Sequence, residues 1–266
     1  MLDPGRLDRL RANLRSEVAR LETAGAHCAE AARTLTLGLS PLDAVLGGGL
    51  AFGALHEIGP AQPMHLGAAT GFAVALSRLA GTETNGLGRS AILWIQQEFS
   101  ALEAGRPYGE GLASFGVPMA RLVHLAVRHT RDALWATEEA LKSGAVTAVV
   151  TELARDDIDL TASRRLSLAA AEGGSLGLVL SHRRIDRPSA AVTRWEVAAA
   201  PGARDAFGGL GATAFSLSLV KNRRGPTGRW LASWEHHACA FISTLSLGVA
   251  AAACDRPDRA PLVRAG

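Results

Sequence analysis

The sequence predicts an α/β fold, a mostly parallel sheet flanked by helices, and three observations point to it. Strand-like and helix-like segments alternate through the first two thirds of the 266 residues, and parallel neighbours need such crossovers. The apolar residues are mainly Ala, Leu and Val with abundant Gly and only 5% aromatics. That mixture suits buried strands under helices better than an aromatic-rich sandwich. The last third reads as strands separated by turns without long helices, an antiparallel extension of the same sheet.

Each element has its own signal. In residues 5–33, Leu7, Leu10, Leu14, Val18 and Leu21 recur at helical spacing among Arg and Glu. Residues 1–34 thus form an N-terminal amphipathic helix ahead of a core domain at 35–245. It either packs on its own core or docks on a neighbour. A short helix follows, with Ser40 as N-cap, Pro41 at the first helical position and Gly47 as left-handed stop.

Ala54 to Ile58 reads as a strand, Gly59 to Gly67 as a loop and Ala68 to Leu79 as a helix. Strands follow at Ile92 to Ile95 and Leu122 to Val127. Arg131 to Ser143 is a helix with Thr130 as its cap and Gly144 as its stop. Val146 to Val150 is a β-branched buried strand, and Leu160 to Glu172 a helix closed by Gly173 and Gly174. Leu176 to Leu180 is the next strand. Thr193 to Ala198, Ala214 to Val220 and Trp230 to Glu235 are strands, with turns at Gly202 to Gly211 and Asn222 to Gly228. Residues 246–266 form a C-terminal tail, rich in Pro and Arg from Asp255.

Charge and composition exclude several classes. The net charge is +3, and Lys142 and Lys221 are the only lysines among 28 basic residues. A balance this small excludes a basic nucleic-acid coat and leaves local arginine clusters as the informative feature. Cys28, Cys239 and Cys254 are far apart, with no CxxC spacing, so neither a disulfide framework nor a zinc site is implied. His236 and His237 point apart on a strand and lack a carboxylate or Cys partner at ligand spacing, so no metal is expected. The N-terminus lacks a basic stretch followed by an apolar run. The most apolar segment, Ala238 to Ala253, is broken by Ser243, Ser246 and Gly248 and falls short of the ~18 residues a span needs. The chain is expected to be cytoplasmic, with no membrane partner.

Over residues 35–237 the order of these pieces resembles the RecA recombinase core. Gly38-Leu-Ser-Pro-Leu-Asp-Ala-Val-Leu-Gly-Gly-Gly-Leu50 is similar to that family's lead-in to its first core strand. Gly53-Ala-Leu-His-Glu-Ile-Gly-Pro60 resembles the strand that feeds its phosphate loop. Val220-Lys-Asn-Arg223 resembles its late run of basic residues. Within the wider group, the length, the N-terminal helix and the full set of strands look like the ImuA family of SOS-mutagenesis accessory proteins, with the SulA division inhibitors as the alternative.

Against that resemblance the nucleotide chemistry is degraded. A phosphate loop of the form GxxxxGK[ST] needs glycines to curl its backbone, a lysine as point charge and a hydroxyl for Mg²⁺. Gly59 occupies the first glycine position, but Met64 stands for the second glycine, His65 for the lysine and Leu66 for the hydroxyl. Pro60 and Pro63 remove two N–H donors. Thr151 stands where the family's metal-binding Asp ends a strand, and Glu152 is expected on the opposite side. A rescue by Glu152 is the alternative. Glu98 matches the catalytic carboxylate but has no lysine or metal ligand to work with, which makes it a relic or a structural residue. His182 replaces a nucleotide-sensing glutamine, and a hydrogen-bonded strand-end histidine is the plain reading. No catalytic residue and no cofactor are expected.

The DNA loops also depart from the recombinase. The link after Glu152 carries Asp156, Asp157 and Asp159, which repel phosphates. Arg183, Arg184 and Arg187, with Lys221, Arg223, Arg224 and Arg229, are the candidates for nucleic acid or an acidic partner; a solvated sheet end is the alternative. The resemblance implies as partners ImuB, an inactive Y-family polymerase-like protein, and through it an error-prone C-family polymerase and the sliding clamp. RecA itself and weak single-stranded DNA binding are further implied. A residual ATPase is the enzyme-class alternative.

Overall fold

The computed structural model describes residues 33–82, 91–154, 158–202, 209 and 211–243. The expected N-terminal helix, the tail and most of the 202–211 turn lie outside these residues. The chain runs β1 (Thr34–Leu35), α1 (Ser40–Val45), β2 (Leu50–Ala51), β3 (Ala54–Pro60), α2 (Leu66–Thr82), β4 (Ala91–Gln97), α3 (Glu98–Ala104), α4 (Gly109–Ser114) and β5 (Leu122–Val127). It continues through α5 (Thr130–Ser143), β6 (Val146–Leu153), α6 (Leu160–Gly173), β7 (Leu176–Ser181), β8 (Thr193–Ala199), β9 (Thr213–Asn222), β10 (Gly228–Glu235) and β11 (Ala240–Ser243). Strands β1 and β2 form a small ribbon. The other nine make one sheet in the order β11-β10-β9-β8-β3-β7-β6-β4-β5.

From β8 to β5 every pair is parallel. From β8 to β11 every pair is antiparallel. The sheet is therefore mostly parallel with helices on both faces. One boundary of the expected extension shifts: β8 pairs parallel with β3 before its antiparallel partner β9 begins the extension. Residues 182–192 carry the chain across β3 from β7 to β8 without a helix.

Strand alternation divides the core in two. Ala148 and Val150 of β6, with Leu178 and Leu180 of β7, face α2 and pack with Phe72, Trp195, Phe215 and Trp234. Val149 and Leu153, with Val179, face α5 and α6 and pack with Ala133, Leu141 and Leu166. Phe72 sits 5.4 Å from Trp195 and 5.8 Å from Phe241, centroid to centroid. The first face therefore holds the buried aromatics of the described residues.

Three predicted boundaries are corrected by hydrogen bonding. Ser40 lies inside α1 after Leu39 at the cap, and the Asp43 carboxylate accepts the Leu37 and Gly38 amides at 2.9 and 3.0 Å. The Leu42 and Asp43 amides go to the Leu39 carbonyl, so no side chain caps this helix. Thr130 begins α5 instead of capping it, with His129 at the cap. Strand β3 runs two residues beyond Ile58, because Gly59 and Pro60 stay in register with Glu196 and Val197 of β8. The stops Gly47, Gly144 and Gly174 do adopt φ of +70°, +59° and +66°.

Candidate functional site

In an open parallel sheet, ligands bind beyond the carboxyl ends of the strands where the strand order reverses. Here that point lies at the end of β3, flanked by β7 and β8. On the α2 side, beside the first turn of that helix, a cavity of about 470 Å³ opens. Leu66, Gly67 and Thr70 of α2 form one wall, and Glu103, Arg106 and Tyr108 form another. Trp94, Gln96 and Glu152 line its inner end.

Glu152, not Thr151, faces this cavity. Strand β6 continues regularly to Leu153, so Glu152 shares the face of Ala148 and Val150. Thr151 points to the other layer, where its Oγ1 lies 2.6 Å from Thr137 Oγ1. The sequence reading had the two sides reversed. Both faces of β6 are apolar, so only tertiary packing distinguishes them.

The Glu152 carboxylate is buried and already partnered. Trp94 Nε1 donates to Oε2 at 2.9 Å, and Gln96 Nε2 donates to Oε1 at 3.1 Å. His182 Nε2 lies 2.8 Å from the same Oε1, and His182 Nδ1 lies 4.0 Å from Glu103. His182 is thus a hydrogen-bonded strand-end histidine. His124 Nε2 is 3.3 Å from Gln96 Oε1, and burial with the nearby Arg106 pulls its pKa below the ordinary histidine value. An inward carboxylate at this strand end is the position that the Glu152 alternative requires, and Arg106 is the cation of the lining.

The remaining phosphate-loop residues do not assemble a cradle. A Cβ on Gly59 would lie 2.9 Å from the Arg183 carbonyl oxygen and 3.5 Å from Ile185. This glycine therefore admits the 183–185 backbone against the strand, on the face opposite Glu152. Pro63 to His65 form a 3₁₀ turn, with Met64 80% exposed. His65 Nδ1 accepts the Ala199 amide at 3.3 Å and is absent from the cavity wall. Glu98, at the first turn of α3, is half exposed and pairs with Arg128 at 3.4 Å, also away from the cavity. Gln96, two residues earlier on the inward parity of β4, takes the place that Glu98 was expected to hold.

A second polar cluster escaped the sequence reading. Glu57 in the middle of β3 is 1% exposed. Arg194 Nε donates to its Oε2 at 2.9 Å, Ser189 Oγ donates to Oε2 at 2.8 Å, and Arg187 Nη1 lies 3.0 Å from Oε1. Arg194 also donates to the Ile185 and Arg187 carbonyls at 3.1 and 2.6 Å. Lys221 Nζ donates to the Ser189 carbonyl at 2.7 Å, and burial, with Arg223 beside it, lowers its pKa. The cluster pins the 182–192 crossing to the sheet. A lone Glu inside an apolar run with an Arg more than a hundred positions away was the only sequence trace of it.

The predicted basic surface is therefore divided. Arg187 and Lys221 are tied into the Glu57 cluster, and Arg184 pairs with Glu196 at 2.8 Å. Arg224 is half-buried beside Gly47. Arg183, Arg223 and Arg229 are exposed, with Arg229 in β10 separated from Glu196 of β8 by Ser218 of β9.

At the far side of the sheet β5 is the edge strand among the described residues, where it pairs with β4 alone. Its Val123 and Leu125 are 54% and 38% exposed. An edge of this kind offers unpaired backbone groups to an added strand.

Among the described residues no group of three or more His, Cys, Asp or Glu is placed to hold a metal ion. No helix among them is long and apolar enough to cross a membrane. His236 is held instead by the Ser114 carbonyl at 2.8 Å and by Thr213 Oγ1 at 3.1 Å.

No family model matches the chain. Protein ImuA of Caulobacter vibrioides, from each of two strains, is 32% identical to it over 197 residues. The match spans 70% of this chain and 76% of that protein.

Proposed function

The chain belongs to the ImuA family, and from that premise we propose that it is a non-catalytic accessory protein of damage-induced mutagenesis and translesion DNA synthesis. Its RecA-type core has lost nucleotide turnover and serves as a docking platform. The observation that carries this reading is His65, which stands at the lysine position but is held to the Ala199 amide, outside the cavity beside α2.

Magnitudes support it. Micromolar binding of a triphosphate needs about 8 kcal/mol. The attraction of a helix N-terminus for an anion is about 0.3–1 kcal/mol. A residual ATPase using Glu152 as metal ligand would have to work without the lysine, because His65 is turned to Ala199 and Arg106, on the opposite wall, is the cation of the lining.

The partner is an ImuB-type inactive Y-family polymerase-like protein, which links the complex to an error-prone C-family polymerase and the sliding clamp, and RecA is a separate candidate partner. The exposed edge of β5 is the docking feature best suited to it. Co-expression of the tagged full chain with the ImuB-type protein tests this. Stable co-purification, lost when Val123 and Leu125 are both changed to Glu, is expected. Retention of the tubulin-like division protein instead, with no ImuB-type protein, would replace this reading with the SulA-like one.

A further inference from the structure

The opposite face of the sheet carries a second cavity that the proposed function does not use. It is a groove of about 500 Å³ between α5 and α6. Leu134, Ala162 and Leu166 form an apolar floor, and Trp135 stands as one wall. Trp135 is 63% exposed, whereas Trp94, Trp195 and Trp234 are fully buried. An indole left largely in water beside an apolar floor offers a flat π-face with room for a ring against it.

The rim is cationic. Arg131, one helical turn before Trp135, is exposed, and Arg165 of α6 lines the same opening. Glu138 is the acidic group of the lining, and it is already bonded by Lys142 at 2.7 Å and by Arg165. In the lining itself two guanidinium groups, Arg131 and Arg165, face the one carboxylate of Glu138. A volume of this size is within the usual range for small-molecule sites.

We infer that this groove binds a nucleotide unit, its base stacked on Trp135 and its phosphate drawn to Arg131 and Arg165. An apolar floor, an exposed aromatic wall and guanidinium groups at the mouth are the parts that such a unit needs. A free nucleotide and one residue of a single strand share this chemistry. The inference rests on the α5–α6 groove alone and stands apart from the family reading.

The test is fluorescence anisotropy of a labelled thymidine oligonucleotide with the full chain at low salt, competed with thymidine monophosphate. Trp135→Ala is expected to weaken binding about tenfold, within the range seen for base–aromatic stacking. Trp135→Phe should retain most of the affinity, Trp135→Leu should behave like the alanine variant, and Arg131→Glu should weaken binding further. Competition by the monophosphate identifies the free nucleotide as sufficient, and its failure assigns the site to a strand. The inference is overturned if Trp135→Ala binds as wild type, or if only Arg183→Ala with Arg184→Ala abolishes binding. Full affinity in Trp135→Leu also overturns it, because apolar contact, as in a peptide groove, then accounts for the binding. Because Trp135 is exposed, thermal unfolding of each variant should match wild type.

Discussion

Changing Glu57 to Ala is expected to lower the folding stability by about 3–5 kcal/mol, the usual cost of stranding a buried charge by removing its partner. The substitution leaves Arg194 and Arg187, 11% and 16% exposed in their side chains, without their carboxylate. It also frees the 182–192 crossing, because Arg194 holds the Ile185 and Arg187 carbonyls and Ser189 holds Glu57. For a chain of this size the loss corresponds to a fall in Tm of about 10 °C. Urea unfolding of Glu57→Ala and Glu57→Gln would check it, with Gln recovering part of the loss through its remaining hydrogen bonds. A loss below about 1 kcal/mol for Ala would mean that the cluster is not the clamp described.

Acid is expected to destabilise the fold before most carboxylates titrate, because of His56. Its ring is fully buried, with Nδ1 2.7 Å from Thr193 Oγ1 and Nε2 2.9 Å from the Ala51 carbonyl. Burial lowers its pKa from the ordinary 6.5 to about 4, opposed by the Ala51 carbonyl and assisted by Arg224. The folded state therefore favours neutral imidazole. The associated stability is fully present above pH 6.5 and is lost as pH falls from 6.5 towards 4. The shift corresponds to about 3 kcal/mol. Glu138, whose carboxyl is held low by Lys142 and Arg165, acts below its ordinary value of 4.5, largely outside that window. Equilibrium unfolding between pH 7 and pH 4 is expected to show this loss in wild type and a flatter profile in His56→Gln. An identical slope in the two proteins would assign the effect elsewhere.

The parallel sheet was legible because Gly and Pro punctuate the helices and β-branched runs mark the buried strands. Gly144 and Gly174 stop α5 and α6 where expected, and Val146–Leu153 is a buried strand rich in β-branched residues. The site was legible in type but not in facing. Thr151 and Glu152 are neighbours, and a strand buried on both sides gives no alternation to tell which one meets α2. Glu98 shares the parity of Gln96, but β4 ends at Gln97 and Glu98 opens α3, where it turns out to Arg128. Distant polar pairs such as Glu57 with Arg194 carry no local signature at all. The short helices α3 and α4 and strand β11 were also missed, being too brief to show a period.

Isothermal titration calorimetry of the full chain with Mg-ATP probes the claim that carries the functional reading. Micromolar binding requires about 8 kcal/mol, and the cavity beside α2 offers a triphosphate an inward carboxylate and no lysine. The expected result is no saturable heat at millimolar ATP. A saturable isotherm with a micromolar Kd would contradict it, and with it the account of a phosphate loop that has lost its lysine.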